Sequence, residues 1–312
     1  MDRPKIYIDG QEGTTGLQIY ERLEAREDIE LLRIAPDKRK DVQERKKLLN
    51  AADLAFLCLP DAAAREAVAL VENSRTRIID ASTAHRTADG WVYGFPELAG
   101  QREKIKSARF VANPGCHATG FLACVAPLVR LGGIPGDYPL TCVSLTGYSG
   151  GGKGMIAEYE APDRDTRLDS PAPYALGLTH KHLPEMQKIA GLDLPPAFLP
   201  VLGDFYKGMC TTVLLHNRGL KDKPPAEEIS RLLCTYYGNE AMVWVAPFGE
   251  APVRLYAGEL AGSDRLKITV SGGREQTLIA AQFDNLGKGA SGAAVQNMNL
   301  MLGFPETRGL NI

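Results

Sequence analysis

The chain has 312 residues, of which 44% are hydrophobic and 24% charged, and its formal net charge is -2. That length exceeds the roughly 250–300 residues at which a single core stops growing, so two domains are expected and disorder is excluded. The near-neutral charge gives no basic footprint for nucleic acid or an acidic membrane, and no apolar run approaches the ~20 residues needed to cross a bilayer.

Met1-Asp2-Arg3-Pro4 leads straight into a short apolar run, without the apolar region of a signal peptide, so a cytoplasmic location is expected. Lys5–Asp9 reads as the first strand, and the glycine-rich turn Gly10-Gln11-Glu12-Gly13-Thr14-Thr15-Gly16 ends it. A helix with Leu17, Tyr20 and Leu23 on one face follows. Glycines let a backbone approach a diphosphate, and the helix start offers unpaired N–H groups and the positive end of its dipole; Thr14 and Thr15 add hydroxyls. The other reading is a plain structural turn.

Ile29–Ala35 reads as the second strand. Just past it, Asp37 would suit the ribose hydroxyl of NAD, whereas Lys38, Arg39 and Lys40 better suit a 2′-phosphate, so NADP is the expected cofactor. Ala55–Leu59 and Arg77–Asp80 read as further strands with a helix between them, and Phe110–Ala112 as another. This alternation indicates a doubly wound parallel sheet of Rossmann type.

Asn113-Pro114-Gly115 then precedes Cys116, which opens a long apolar helix running to about Leu131. A helix start lowers a thiol's pKa, and the thiolate is the nucleophile. The other cysteines (58, 124, 142, 210, 234) lack such a setting, and no Cys-x-x-Cys pair suggests a disulfide framework or a zinc site. From about Pro139, β-branched runs (Leu140–Leu145, Thr211–Leu215, Met242–Ala246, Leu266–Ser271) predict an α+β domain with a largely antiparallel sheet. His180 and His182 precede Glu185, which is within reach of His182 if the segment turns as a helix start. A metal between the two histidines lacks a third ligand at a suitable spacing, so none is expected. His85, His117 and His216 read as structural or substrate-lining. Leu278–Phe283 reads as a last strand. After Asp284–Ala290 comes a small-residue helix, Ser291–Met301, expected to pack back on the first domain. The expected division is 1–116 with 285–312 as the nucleotide-binding domain, and 117–284 for substrate and oligomerisation.

Gly10–Gly16, Asp80–Arg86, Asn113–Cys116, Gly147–Lys153, His180–Glu185 and Asp284–Gly289 together resemble the N-acetyl-γ-glutamyl-phosphate reductase family, in its shorter, type 2 branch. The resemblance spans nearly the whole chain, although Pro36-Asp37-Lys38-Arg39 departs from the serine and arginine of the longer branch. It implies NADPH-dependent reduction of an acyl phosphate to a semialdehyde, with release of phosphate, as a step of arginine biosynthesis. Cys116 would be the nucleophile and His182 the acid–base, with His180 as its substitute. Ser82 and Asn285 would lie at the cofactor. Arg86, Asn113, Ser149, Gly150, Lys153, His180 and Glu185 are the substrate-side candidates, and a homodimer or homotetramer is expected. The alternatives are an aspartate- or aminoadipate-semialdehyde dehydrogenase, a cysteine hydrolase or acyltransferase that leaves the glycines unused, and an NADP sensor that leaves the cysteine unused.

Overall fold

The computed structural model describes residues 3–312; Met1 and Asp2, the start of the expected leaderless segment, lie outside the described residues. Two compact units form. The first holds residues up to Pro96, Gly100–Pro114 and Ala290–Leu310. Its six strands are β1 (Lys5–Asp9), β2 (Glu30–Leu32), β3 (Leu54–Leu57), β4 (Arg77–Asp80), β5 (Val92–Tyr93) and β6 (Phe110–Ala112). All pair in parallel, in the order β2-β1-β3-β4-β6-β5.

Side chains alternate across this sheet because a strand has a period of two. Ile6 and Ile8 pack on one face with Ile19, Leu23, Val295 and Met298, while Tyr7 packs on the other with Leu49, Ala67 and Ile78. Helices therefore cover both faces, as a doubly wound sheet requires. Val295 and Met298 belong to the last helix, Gly292–Leu302, which returns to this unit as expected. The second strand is shorter than the expected Ile29–Ala35: it pairs with β1 only over Glu30–Leu32, and a tight 3-10 turn, Pro36–Lys38, follows.

The second unit comprises Glu97–Ala99, Gly115–Gly289 and Asn311–Ile312. Its strands are β7 (Thr141–Gly147), β8 (Ala172–Pro173), β9 (Ala197–Gly203), β10 (Met209–His216), β11 (Val243–Val245), β12 (Leu266–Gly272) and β13 (Gln276–Phe283). They run β11-β12-β13-β10-β7-β9-β8, antiparallel except for the β11–β12 and β7–β9 pairs. The sequence reading omits β9, which Pro200 disguises. Compared with the division expected at 116 and 285, Cys116 and Asn285–Gly289 fall with this second unit. The reason is local: Cys116 starts the apolar helix Cys116–Arg130, and Asn285 accepts from the Gly208 amide. That helix lies so close to the sheet that a Cβ on Gly120 would come within 2.4 Å of Thr211 Oγ1.

Candidate functional site

In the first unit the chain leaves β1 through Gly10, whose φ of +84° is in the left-handed region and whose Cβ would stand 2.4 Å from the Cys58 carbonyl oxygen. Gly16 cannot bear a Cβ either, for it would meet the Gly10 carbonyl at 2.4 Å. Gly13 caps the following helix, Thr14–Glu24, whose first turn has neither a side-chain cap nor an acidic residue. The hydroxyl of Thr14 is buried there without a hydrogen-bond partner, and Thr15 lies beside it, half-buried. Orphan amides, a positive dipole end and an orphan hydroxyl suit a diphosphate. Of the expected 2′-phosphate cations, Lys38 is exposed, while Arg39 pairs with Glu12 of the glycine-rich turn at 2.9 Å.

At the carboxyl end of β4, Asp80 accepts from the Ser82 amide at 2.9 Å, from the Ser82 hydroxyl at 2.8 Å and lies 2.6 Å from His85 Nδ1. His85 stacks on Trp91, with 4.1 Å between ring centroids. Arg86 donates to the carbonyls of Asn113 and Ala81, and the Asn113 amide donates to the Ala290 carbonyl. Ser82, Arg86 and Asn113 thus share one end of this sheet.

The second unit gathers the chemistry around Cys116, the first residue of its helix. Gly115 is the cap, with no side chain closing the turn and no acidic residue in it, so the thiol sits at the positive end of the helix dipole. Cys116 is partly exposed, whereas burial pushes the thiols of Cys124, Cys142 and Cys210 up, and that of Cys58 to about 12. A Cβ on Gly289 would lie 3.0 Å from that of Cys116, so glycine keeps this wall thin.

His182 caps the helix Leu183–Ala190, which places Glu185 one turn on, with its Oε1 4.0 Å from His182 Nε2. The other oxygen of Glu185 accepts from the Gly115 amide at 3.1 Å. One carboxylate therefore ties the nucleophile's helix to the histidine. His180 Nδ1 accepts from the His182 amide, and the two rings are 4.7 Å apart. Asn285 Nδ2 donates to Ser149 at 2.9 Å and its Oδ1 accepts from Gly208 at 2.8 Å, while Gly150 lies nearby. Lys153 stands exposed in the first turn of the helix Gly152–Glu160.

Sequence reasoning missed what surrounds His117. Its Nδ1 is 2.8 Å from the Ser144 hydroxyl and its Nε2 is 2.8 Å from the Tyr174 hydroxyl. Burial, reinforced by His180 and Lys181, lowers its pKa to about 3, so the ring is neutral. Adjacency to Cys116 was the available signal. The buried pair Lys288–Glu97, at 2.6 Å, gave none, because the partners are 191 positions apart. Among the described residues, no three metal-ligating side chains gather, and no helix is long and apolar enough to cross a membrane.

Two family profiles match the chain: "Semialdehyde dehydrogenase, NAD binding domain" over residues 5–108 and "Semialdehyde dehydrogenase, dimerisation domain" over 116–285. The chain is 51% identical over 322 residues to N-acetyl-gamma-glutamyl-phosphate reductase 2 of Nostoc sp. (strain PCC 7120), covering 99% of this chain and 100% of that one. It is 48% identical to the N-acetyl-gamma-glutamyl-phosphate reductase of Rhizobium leguminosarum bv. trifolii, covering 96% of this chain and 99% of that one. Its fold is similar to that of aspartate semialdehyde dehydrogenase II of Vibrio cholerae, with a TM-score of 0.74, 16% identity and 97% and 99% of the two chains covered. The enzyme of Candida albicans, solved with NADP, gives a TM-score of 0.68 at 17% identity, covering 96% of this chain and 99% of that one. The chain belongs to the semialdehyde dehydrogenase family and, within it, to the N-acetyl-γ-glutamyl-phosphate reductases.

Proposed function

We propose that this enzyme reduces N-acetyl-γ-glutamyl phosphate to N-acetyl-L-glutamate 5-semialdehyde and phosphate through a thioester on Cys116, as a step of arginine biosynthesis. The observation that carries the proposal is the partly exposed Cys116 at an uncapped helix start, joined through Glu185 to His182. The thiolate attacks the acyl carbon, the carbon–oxygen bond to phosphate breaks, and phosphate leaves with the electron pair. An acyl phosphate is already activated, so no metal is needed for this step. Bound NADPH supplies the hydride that reduces the thioester. The Cys116 amide donates to the resulting oxyanion, and His182 delivers the proton as the carbon–sulfur bond breaks and the thiolate returns.

In the same reading Gly10, Gly13, Thr14, Thr15 and Gly16 hold the diphosphate, and Lys38 and Arg39 attend the 2′-phosphate. Ser82 and Asn285 serve the nicotinamide end. Arg86, Asn113, Ser149, Gly150, Lys153, His180 and Glu185 serve the substrate side. A homodimer or homotetramer in the cytoplasm, engaging neither nucleic acid nor membrane, completes the proposal, and the free state of all six cysteines accords with that location. The test is phosphate-dependent oxidation of N-acetylglutamate semialdehyde with NADP⁺. Turnover that prefers aspartate semialdehyde, or turnover surviving Cys116→Ser, would overturn it.

A further inference from the structure

His117, Ser144 and Thr211 form a buried chain whose hydrogens can be assigned by elimination. Thr211 is fully buried on β10, and among the described residues the acceptor its hydroxyl meets is the Ser144 oxygen, 2.8 Å away. A buried donor without an acceptor costs about 1–3 kcal/mol, so Thr211 donates to Ser144. The proton of Ser144, itself fully buried, then goes to His117 Nδ1 at 2.8 Å. A neutral imidazole that accepts at Nδ1 carries its hydrogen on Nε2. That hydrogen points to the Tyr174 oxygen at 2.8 Å. Tyr174 therefore receives a hydrogen bond and keeps its own proton unspent. Its phenol stays protonated, because burial and then the charge of Cys116 raise its pKa.

Resting on the thioester reading above, we propose that Tyr174 donates its hydroxyl proton in a hydrogen bond to the acyl oxygen held on Cys116, with His117 and Ser144 as the positioning residues that leave this proton available. The site then has a second donor beside the Cys116 amide. A donor aimed at a developing oxyanion acts mainly on the chemical step and little on cofactor affinity.

Nitrogen-15 NMR of the histidine-labelled enzyme, with His117 assigned through His117→Gln, reads the tautomer without any substrate. The hydrogen is expected on Nε2; a hydrogen on Nδ1 would overturn the proposal. Tyr174→Phe keeps the ring and is expected to lower kcat on the order of 100-fold, the cost of one oxyanion donor, while KM for NADPH stays within about twofold. An unchanged kcat would equally overturn it. Ser144→Ala removes the donor to Nδ1, so the Tyr174 proton turns back to Nε2. Its loss should match that of Tyr174→Phe, and the double variant should lose no more than either alone; additive losses would count against the relay. If wild-type enzyme failed to turn over N-acetylglutamate semialdehyde, the substrate reading would fall while the tautomer result stood.

Discussion

Glu185 accepts a hydrogen bond from the Gly115 amide at 3.1 Å, one residue before the nucleophile, and its second oxygen lies 4.0 Å from His182 Nε2. A carboxylate that is 2% exposed holds two halves of the reaction in register. Glu185→Gln keeps an acceptor for Gly115 but loses the charge beside His182. Steady-state kinetics should show kcat lower by about tenfold, a fraction of the roughly 100- to 10,000-fold that general acid–base catalysis supplies, because His182 itself remains, with KM for NADPH unchanged. Loss confined to KM would place Glu185 in binding alone.

Alkylation should single out Cys116. Burial raises four of the other thiols, and the remaining one, Cys234, is exposed. In the Cys234→Ala background, one equivalent of iodoacetamide should abolish activity, and peptide mapping should find the label on Cys116. Cys116→Ser should bind NADPH normally and turn nothing over. Inactivation with the label elsewhere contradicts this.

The 2′-phosphate reading makes a comparative prediction. Lys38→Ala with Arg39→Ala should weaken NADPH about tenfold or more and NADH little, as titrated by fluorescence. Arg39 already pairs with Glu12 at 2.9 Å, so Glu12→Gln frees the guanidinium and should tighten NADPH. Equal losses for both nucleotides would move the phosphate contact elsewhere.

His117 makes stability depend on pH. Its pKa falls from 6.5 to about 3 on folding, so between those values the unfolded chain binds the extra proton. Unfolding free energy therefore rises with pH across that window and is lost as pH drops below about 6.5. From pH 7 to pH 5 the loss is about 2 kcal/mol. Urea titrations should show this slope in the wild type and a flatter one in His117→Gln; parallel slopes would refute it.

Lys288 and Glu97 test the cost of a buried charge. Both are at most 1% exposed on their side chains and meet at 2.6 Å. Lys288→Met should destabilise by about 3–5 kcal/mol because it strands the carboxylate, and adding Glu97→Gln should restore most of that. Thermal unfolding of the three proteins decides it.

The sequence by itself determined whatever depends on near neighbours. Strand period and glycine spacing specify the parallel sheet and the nucleotide turn, since a turn's geometry is set within a few residues. Asn113–Cys116 specifies a thiol at a helix start for the same reason, and His182 to Glu185 is one helical turn. Tertiary structure alone decided which groups meet across long separations. Nothing local in Tyr174, Ser144 or Thr211 marks them as partners of His117, because they join only when β7 and β10 pair and the loop after β8 folds over. Lys288 finds Glu97 on the same terms. Chain proximity writes motifs into sequence; burial and pairing energies, which act through space, complete the site.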